Sequence, residues 1–433
     1  MNIKKMGALA LSLSMVAIAG CGSSTTEPDS NAGTGATTAP ETSSIVTEIT
    51  EPVEITFWHA MNGAQEEALT SLTEEFMAAN TNVTVTLQNQ SSYKDLQQKL
   101  TATSASPKDL PTMTQAYADW MFVPVQDGLV LNLTDYINHE TIGFDNFDDI
   151  LPGLKEAVTI DENIYGIPFN KSTEVIWYNK DLFTELNLEV PTTLEELKEV
   201  SKAIYEAKGI PGAGFDSLNN YYTTSLKNAG VTFDPEVDPT SEASVGAANY
   251  YLEGIKEGYF RIAGTDKYLS GPFGSEAVGM YIGSTAGETF VKEGSAGKFE
   301  PAVAPYPAEY AIQQGTDLYV FDSASAEQKT AAFEYLKFLT TTEAQIEWAI
   351  ATGYMPIRTS AVSSDEYKNS GSLLAPVLEE ATKDLYVNPS YVGTDAAYRE
   401  SATVLEGILA TPDTADVPAA MEAYKATLGT IWE

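Results

Sequence analysis

The chain has 433 residues, one cysteine and a formal net charge of −37, from 61 acidic and 24 basic side chains. A charge of this sign repels nucleic acids and anionic lipid surfaces, which argues against nucleic-acid binding as the function. One cysteine cannot form an intrachain disulfide or a zinc site built on paired thiolates. The hydrophobic fraction of 43% is normal for globular proteins, and the length is sufficient for two domains.

The N-terminal 20 residues have the pattern of a secretory signal peptide. Lys4 and Lys5 precede an uncharged run at residues 6–20, which is shorter than the roughly 20 apolar residues that a membrane-spanning helix needs. The run ends in the letters IAGC, which look like a bacterial lipobox, the signal at which Cys21 would be lipidated and become the new N-terminus. An ordinary signal peptide with an incidental cysteine is the alternative.

A tether is predicted after the cysteine. Residues 22–51 consist of Ser, Thr, Gly, Pro and acids with few apolar side chains, so they cannot bury enough surface to offset their chain entropy. Treated as a flexible linker, such a segment has a mean span on the order of 30 Å. We therefore predict a lipidated Cys21 with a disordered tether over residues 21–52.

The first folded segment, from residue 53, is predicted as β-α-β-α-β. PVEITFWHA and VTVTLQN alternate as strands, NGAQEEALTSLTEEFMAAN has helical spacing, and SSYKDLQQKLTATSA is a helix that Ser92 caps. LPTMTQAYADW is predicted as the third strand. This order implies a parallel, doubly wound sheet, in which ligands bind at the carboxyl ends of strands. Those ends lie at residues 58–59, 89–93 and 117–120.

A second α/β unit begins near YGIPFNKSTEVIWYNKDLF, where residues 175–178 form a short apolar strand. The helix VPTTLEELKEVSKAIYEAKG follows, capped by Thr192 or Thr193 and stopped by Gly209. Helical spacing also marks SEASVGAANYYLEGIKEGYF, the long pair AEQKTAAFEYLKFLTTTEAQIEWAIATG, and the chain from about residue 400. VGMYIGSTAG is predicted as a strand then a loop, and GTDLYVF as a strand.

Signatures of catalysis are largely missing from the sequence. It has no HExxH, no phosphate-binding GxxxxGK[ST] and no GxGxxG, and GSTAG places its serine wrongly for a nucleophile elbow. A glycosidase pair cannot be picked out of 61 acids. His59 could line a cleft or be a buried histidine satisfied by the backbone. We expect no enzyme activity, no cofactor and no metal.

Arginine is rare, with Arg261, Arg358 and Arg399 as its only occurrences. A guanidinium offers a planar fork that binds carboxylate or phosphate at two points, so each arginine is a candidate for specific recognition. A surface ion pair is the more ordinary role for any one of them.

These features together resemble the lipoprotein solute-binding proteins of ABC importers, in the extracellular family 1 (carbohydrate-type) class. The stretch IPFNKSTEVIWYNKDLF carries the resemblance best, and VPTTLEELKE resembles the usual helix start with Leu194 where tryptophan is common. Within the class, ITFWHAMNG, PFNKST and ATGYMPIR are most similar to the members that bind sn-glycerol-3-phosphate. The resemblance covers residue 53 to the C-terminus.

The resemblance implies an α/β, two-lobed periplasmic-binding-protein-like fold of type II, with lobes joined by a hinge with chain crossovers. It implies that residues 53–167 and 309–353 form lobe 1, and that residues 168–308 and 354–433 form lobe 2. It also implies hinged capture of a small molecule, delivery to permease subunits, and a monomer held by its lipid at the outer face of the cytoplasmic membrane. An acidic, lipid-tethered protein suggests a Gram-positive, one-membrane cell.

The ligand residues of the glycerol-phosphate members can be followed onto this sequence, where they fall on Tyr93, Ser172, Ser284, Gly315, Tyr354 and Arg399. Arg399 keeps the family's spacing of six residues after Gly393. The glutamate that follows the tyrosine in QAY is replaced by Ala118, with Asp119 one place later, and that carboxylate would bind the glycerol hydroxyls. Trp58 completes the predicted set.

The residues leave three ligand hypotheses open. Hydroxyls, a glycine N–H, a phenol and an arginine can all donate hydrogen bonds, which suits sn-glycerol-3-phosphate or a glycerophosphodiester. A neutral di- or oligosaccharide is the alternative, stacked on Trp58, Trp120, Trp177 and the tyrosines of NNYYTT. A surface glycosidase is third.

Overall fold

The computed structural model describes residues 45–433, so the predicted signal peptide, Cys21 and most of the tether lie outside the described residues. No helix within residues 45–433 combines the length and apolarity that crossing a membrane requires. The last tether residues lie against the folded chain. The Val46 carbonyl accepts a hydrogen bond from Thr330 (2.7 Å) and the Ile49 carbonyl one from Asn82 (3.0 Å), while Ile45 and Ile49 pack on the core.

The sheets of the described chain are built from twelve strands, two of which form a separate hairpin. Their bounds are β1 Val53–His59, β2 Val83–Asn89, β3 Met113–Ala116, β4 Thr159–Ile160, β5 Asn163–Ile164, β6 Gly166–Asn179, β7 Ala213–Phe215, β8 Phe260–Ile262, β9 Met280–Ser284, β10 Pro301–Pro305, β11 Ala311–Val320 and β12 Leu385–Tyr386.

The α-helices of residues 45–433 are interspersed with these strands along the chain, and several of them pack against the strands. Their bounds are α1 Ala64–Ala79, α2 Tyr93–Ser104, α3 Ala118–Gln126, α4 Thr134–Ile137, α5 Pro152–Glu156, α6 Lys180–Leu186, α7 Leu194–Lys208, α8 Leu218–Asn228, α9 Glu242–Glu257, α10 Ser270–Gly274, α11 Glu288–Ser295, α12 Ala326–Leu339, α13 Thr342–Thr352, α14 Thr359–Ser363, α15 Asp365–Lys368, α16 Leu378–Ala381, α17 Thr394–Ala410 and α18 Val417–Ile431.

The large sheet has the strand order β2-β1-β3-β11-β6-β9-β7-β8, with β10 beside β6 and β12 beside β11. Its two ends are parallel, since β1 pairs in parallel with β2 and β3, and β7 does so with β8 and β9. Its centre is antiparallel, where β6 and β11 pair with each other and with their outer neighbours. Two α/β units of the predicted kind therefore share two long central strands.

Strand β6 passes from one α/β unit into the other. Among the strands, its first residues pair with β11, whereas residues 174–178 pair with β9 and residues 175–179 with β10. The register between β6 and β11 shifts between Thr316 and Asp317. The sequence predicted only residues 175–178 of this strand, because its first half is interrupted by Pro168, Asn170 and Lys171, which alternate poorly.

A buried ion pair joins the paired central strands β6 and β11 beside their register shift. Lys171 Nζ contacts Asp317 Oδ1 at 2.9 Å and donates to the Gly315 carbonyl at 3.1 Å, and the two charged side chains are at most 1% exposed. Beside it, Gln115 Nε2 donates to Thr316 Oγ1 at 2.7 Å. The network ties β3, β6 and β11 together through side chains as well as through the backbone.

Most predicted elements are confirmed, with bounds changed at the third strand. Ser92 Oγ accepts from the Asp95 amide at 3.1 Å, and Thr193 caps α7 in the same way on Glu196. The segment predicted as one strand over residues 110–120 ends its strand at Ala116 and continues as α3. The β-propensity of its aromatic residues is thereby overridden by tertiary packing.

The buried ion pair generates a stability prediction. Lys171→Met leaves the Asp317 carboxyl buried without its partner, so we expect the free energy of unfolding to fall by about 3–5 kcal/mol. The double variant Lys171→Met/Asp317→Leu removes both charges and should recover much of that loss. Urea-induced unfolding followed by tryptophan fluorescence measures both. A double variant no more stable than the single one would show that the pair is not the source of the loss.

Candidate functional site

A cavity of about 830 Å³ lies over the paired central strands, at the carboxyl end of β3 and the N-terminal ends of α2, α3, α8 and α17. Its position agrees with the rule that ligands of α/β sheets bind beyond the carboxyl ends of the strands. The lining residues are Tyr93, Lys94, Gln97, Gln98, Tyr117, Ala118, Asp119, Trp120, Ser217, Asn219, Tyr268, Ile312, Gln313, Gln314, Gly315, Asp317, Val387, Asn388, Ser390, Thr394, Asp395, Tyr398 and Arg399.

Three aromatic rings make up one wall. Tyr93 begins α2 after its Ser92 cap, and Tyr117 and Trp120 flank the start of α3. The ring centres of Tyr117 and Trp120 are 5.0 Å apart, and those of Tyr93 and Tyr117 are 5.4 Å apart in an edge-to-face arrangement. Such a cluster offers flat apolar faces for a sugar ring or a cationic group.

The Asp119 carboxyl lies beside these rings, in the first turn of α3. Burial, together with the nearby charge of Asp395, raises the pKa of Asp119 to about 7, against the lowering effects of the Trp120 amide and of Arg399. Asp119 Oδ1 accepts from the Trp120 amide at 3.0 Å, which fixes its orientation. Near neutral pH this carboxyl is therefore close to half protonated and can donate as well as accept.

Arg399 is the one predicted arginine on the cavity wall. Its Nε donates to both Asp395 carboxyl oxygens, at 2.9 and 3.0 Å, and its side chain is 63% exposed. Arg358 is instead buried and bonded to the Thr340 carbonyl, and Arg261 forms an ion pair with Asp266. One arginine thus combines a fixed position in the cavity with an exposed guanidinium end.

Gly315 lies on the cavity floor, where the backbone conformation requires glycine. Its φ is +94°, and a Cβ there would meet the Asn170 carbonyl oxygen at 2.1 Å. The close approach of β6 and β11 therefore needs a residue without a side chain at this position. The same feature lets a ligand approach the strand backbone.

Four of the eight predicted ligand residues line the cavity, namely Tyr93, Asp119, Gly315 and Arg399. Trp58 is 6% exposed, donates to Gln88 Oε1 at 2.8 Å and has Lys99 Nζ 3.8 Å above its ring. Gln88 and Lys99 therefore cover it.

The other three predicted residues are not among those that line the cavity. Ser172 is buried on β6 opposite Gln314, which lines the cavity. Ser284 accepts from the Ala286 amide at 3.1 Å. Tyr354 stacks on Trp348 with ring centres 6.2 Å apart, and burial and Tyr354 together raise the pKa of Tyr93 well above its ordinary value.

Other side chains named from the sequence are enclosed by protein. His59 is 1% exposed, its Nδ1 accepts from the Met61 amide at 3.2 Å, and burial lowers its pKa. Trp177, Tyr221 and Tyr222 are at most 1% exposed, which leaves Trp120 as the proposed stacking tryptophan that reaches the cavity.

Several lining residues were missed by sequence reasoning. Asp395 lies four residues before Arg399 on α17, and Tyr398 lies directly before it. Because residues four apart meet on one face of a helix, the sequence could have indicated Asp395 as the partner of Arg399. Asn219 and Tyr268 come from elements that approach only in the folded chain. No local pattern in the sequence could have assigned them to the site.

Comparison with known proteins agrees with this architecture. The family profile of the bacterial extracellular solute-binding proteins matches residues 71–375. The sn-glycerol-3-phosphate-binding periplasmic protein UgpB of Brucella abortus (strain 2308) is 24% identical over 357 residues, covering 76% of this chain and 82% of that one. The maltotriose-binding protein of Pyrococcus abyssi (strain GE5 / Orsay) is 22% identical over 393 residues, covering 86% and 81%.

Among solved structures, UgpB from Mycobacterium tuberculosis in complex with glycerophosphocholine superposes with a TM-score of 0.73 at 20% identity. The match covers 88% of this chain and 98% of that one, so the two-lobed fold is shared nearly end to end. The chain therefore belongs to the bacterial extracellular solute-binding protein family.

Proposed function

We propose that this protein captures a glycerophosphodiester in the cavity between its two lobes and delivers it to the permease of an ABC importer. The observation that carries the proposal is the placement of Arg399, whose guanidinium end is exposed at the cavity wall while Asp395 holds its Nε. A guanidinium held on one side offers its outer nitrogens to a phosphate oxygen pair.

The charge of the wall favours a diester over a phosphate monoester. A monoester carries a charge of about −1.5 to −2 at neutral pH. Asp119 and Asp395 line the same cavity and would oppose a dianion, whereas the charge of the buried Asp317 is compensated by Lys171. The cations on the lining are Arg399, which is paired with Asp395, and Lys94. A phosphodiester has a single negative charge, and its second substituent can lie on the rings of Tyr93, Tyr117 and Trp120.

A neutral oligosaccharide is the second candidate, and the composition of the wall favours it. Sugar rings stack on aromatic ring faces, and sugar hydroxyls form hydrogen bonds with carboxyl and amide side chains. The wall offers both kinds of group. The amides on the lining are those of Gln97, Gln98, Asn219, Gln313, Gln314 and Asn388. The maltotriose-binding relative is named for such a ligand.

Capture by lobe closure completes the proposal. We assign residues 53–167 and 309–353 to lobe 1 and residues 168–308 and 354–433 to lobe 2, with the paired central strands as hinge. Closure around the ligand buries it, and the permease recognises the closed form. The protein acts as a monomer without bond chemistry, held by a lipid on Cys21 at the outer face of the cytoplasmic membrane of a one-membrane cell.

The Arg399 placement predicts a large loss of affinity for the diester. Arg399→Ala removes a charged hydrogen-bond donor to phosphate, worth about 1.5–3 kcal/mol, so we expect roughly 10- to 150-fold weaker binding. Isothermal titration calorimetry with glycerophosphocholine, sn-glycerol-3-phosphate and maltotriose measures this and ranks the ligands. Arg261→Gln, which alters an arginine outside the cavity, is the matched control and should keep wild-type affinity. Tight maltotriose binding without either phosphate ligand would contradict the proposal.

The raised pKa of Asp119 predicts a pH dependence of binding. Asp119 ionises as pH rises through about 7, which adds a negative charge to the cavity wall near Asp395 and Arg399. This charge repels an anionic diester, so the diester should bind roughly 3- to 10-fold more weakly at pH 8 than at pH 6. Asp119→Asn should flatten this dependence. A neutral sugar would not lose affinity in this direction, so calorimetry at the two pH values also separates the ligand classes.

The lipid anchor is tested by Cys21→Ser expressed in a one-membrane bacterium. Without the thiol no lipid can be attached, so we expect the protein to move from the membrane fraction to the culture medium. Radiolabelled palmitate should label the wild type and not the variant. Equal partitioning of the two proteins would disprove the anchor without affecting the ligand proposal.

A further inference from the structure

A chain of three buried or half-buried side chains runs behind the cavity wall. Glu174 is on β6, Asn220 is in the first turn of α8 and Tyr398 is on α17. Asn220 Nδ2 donates to Glu174 Oε1 at 2.8 Å, and the Tyr398 hydroxyl donates to Asn220 Oδ1. Glu174 and Asn220 are 2% and 6% exposed, whereas Tyr398 reaches the cavity. We call these three residues the Glu174 relay.

The direction of the relay follows from its donors and acceptors. An asparagine amide has one donating and one accepting end. The donating end of Asn220 faces Glu174 Oε1, and its accepting end faces Tyr398 and takes the phenol proton. With its proton committed, the Tyr398 oxygen can only accept further hydrogen bonds, and it lies on the cavity lining next to the Gln314 amide, which also bonds to it. It therefore suits a hydroxyl donor on the ligand and not a phosphate oxygen.

We propose that Glu174 and Asn220 are positioning residues that hold the Tyr398 hydroxyl as a hydrogen-bond acceptor, which selects for a ligand hydroxyl beside the anionic group. The proposal rests on the proposed function, since Tyr398 is adjacent to Arg399 on α17 and would read the glycerol end of the same ligand.

The environment of Glu174 is consistent with this role. Burial raises the pKa of Glu174 to about 8, with Asn220 lowering it and Asp216 raising it, so the carboxyl is mainly neutral at pH 7. Oε2 has no hydrogen-bond partner in the described chain, whereas Oε1 accepts from Asn220. A neutral carboxyl can orient Asn220 without placing an uncompensated charge behind an anion-binding cavity.

The test compares a ligand with hydroxyls and one without. Wild type, Tyr398→Phe and Asn220→Ala are titrated calorimetrically with glycerophosphocholine and with n-propyl phosphocholine, which lacks both glycerol hydroxyls. We expect both variants to bind glycerophosphocholine about tenfold more weakly and n-propyl phosphocholine with unchanged affinity. Glu174→Gln keeps a neutral acceptor oxygen for Asn220 and should stay within about twofold of wild type. Glu174→Met removes that acceptor and should reproduce the selective loss if Asn220→Ala does not fold.

Two matched variants control for general loss of a buried hydrogen bond. Tyr424→Phe removes a phenol that donates to the Ala397 carbonyl of the same α17, and Asn228→Ala removes an amide at the far end of α8. Both lie off the cavity lining and should bind both ligands as wild type does. Equal losses for the two ligands in Tyr398→Phe, or wild-type affinity in a folded Asn220→Ala, would overturn the relay.

Failure of the relay and failure of the proposed function give different results. If wild type binds maltotriose and not glycerophosphocholine, the glycerophosphodiester proposal fails. The same variants are then titrated with maltotriose, because the Tyr398 oxygen could accept hydrogen bonds from its hydroxyls as well. A loss of about tenfold in both Tyr398→Phe and Asn220→Ala would support the relay, and unchanged affinities would overturn it.

Discussion

The buried ion pair of Lys171 and Asp317 is the constraint on which the cavity depends. A lysine and an aspartate that are both excluded from water are tolerated only when they meet each other with good geometry. Their contact requires β6 and β11 to lie close together. At position 315 this closeness leaves no room for a Cβ, so the residue must be glycine. The pairing of these strands sets the relative position of the α/β units and hence the two walls of the cavity. A substitution at this pair should therefore lower the stability and also shift the residues that line the cavity.

The strongly acidic chain has several buried carboxyls whose pKa is raised to near neutral pH. Burial raises the pKa of Asp119 and of Asp216 to about 7, and that of Glu174 to about 8. Carboxyls in this state donate and accept hydrogen bonds without imposing a full negative charge on the cavity. The surface charge that keeps the protein soluble is screened within about 8–10 Å at physiological salt, so it does not decide what enters. The charges of Arg399 and Asp395 at the cavity wall have more influence on an anionic ligand than the surface charge has.

The phosphate and the glycerol hydroxyls of the proposed ligand would be recognised by different interactions. Arg399 supplies charge and direction for a phosphate, and the Tyr398 oxygen supplies an acceptor for a hydroxyl one residue earlier on the same helix. The rings of Tyr93, Tyr117 and Trp120 add apolar area without fixing a hydrogen-bonding pattern. Discrimination between a phosphodiester and a sugar therefore depends on Arg399 and Asp119, since stacking alone would accept both.

The sequence by itself determined the elements, the order of the two α/β units and the family, because strand alternation, helix caps and the YNKDLF stretch are local signals. Its resemblance to the family also predicted Arg399 and Asp119 as ligand residues, and both lie on the cavity lining. Only the tertiary structure decided that Trp58 is covered by Gln88 and Lys99 and that Tyr398 faces the cavity, since these depend on contacts between distant parts of the chain. The antiparallel centre of the sheet was decided in the same way. Its two long strands pair across about 145 residues of sequence, a separation over which periodicity carries no information.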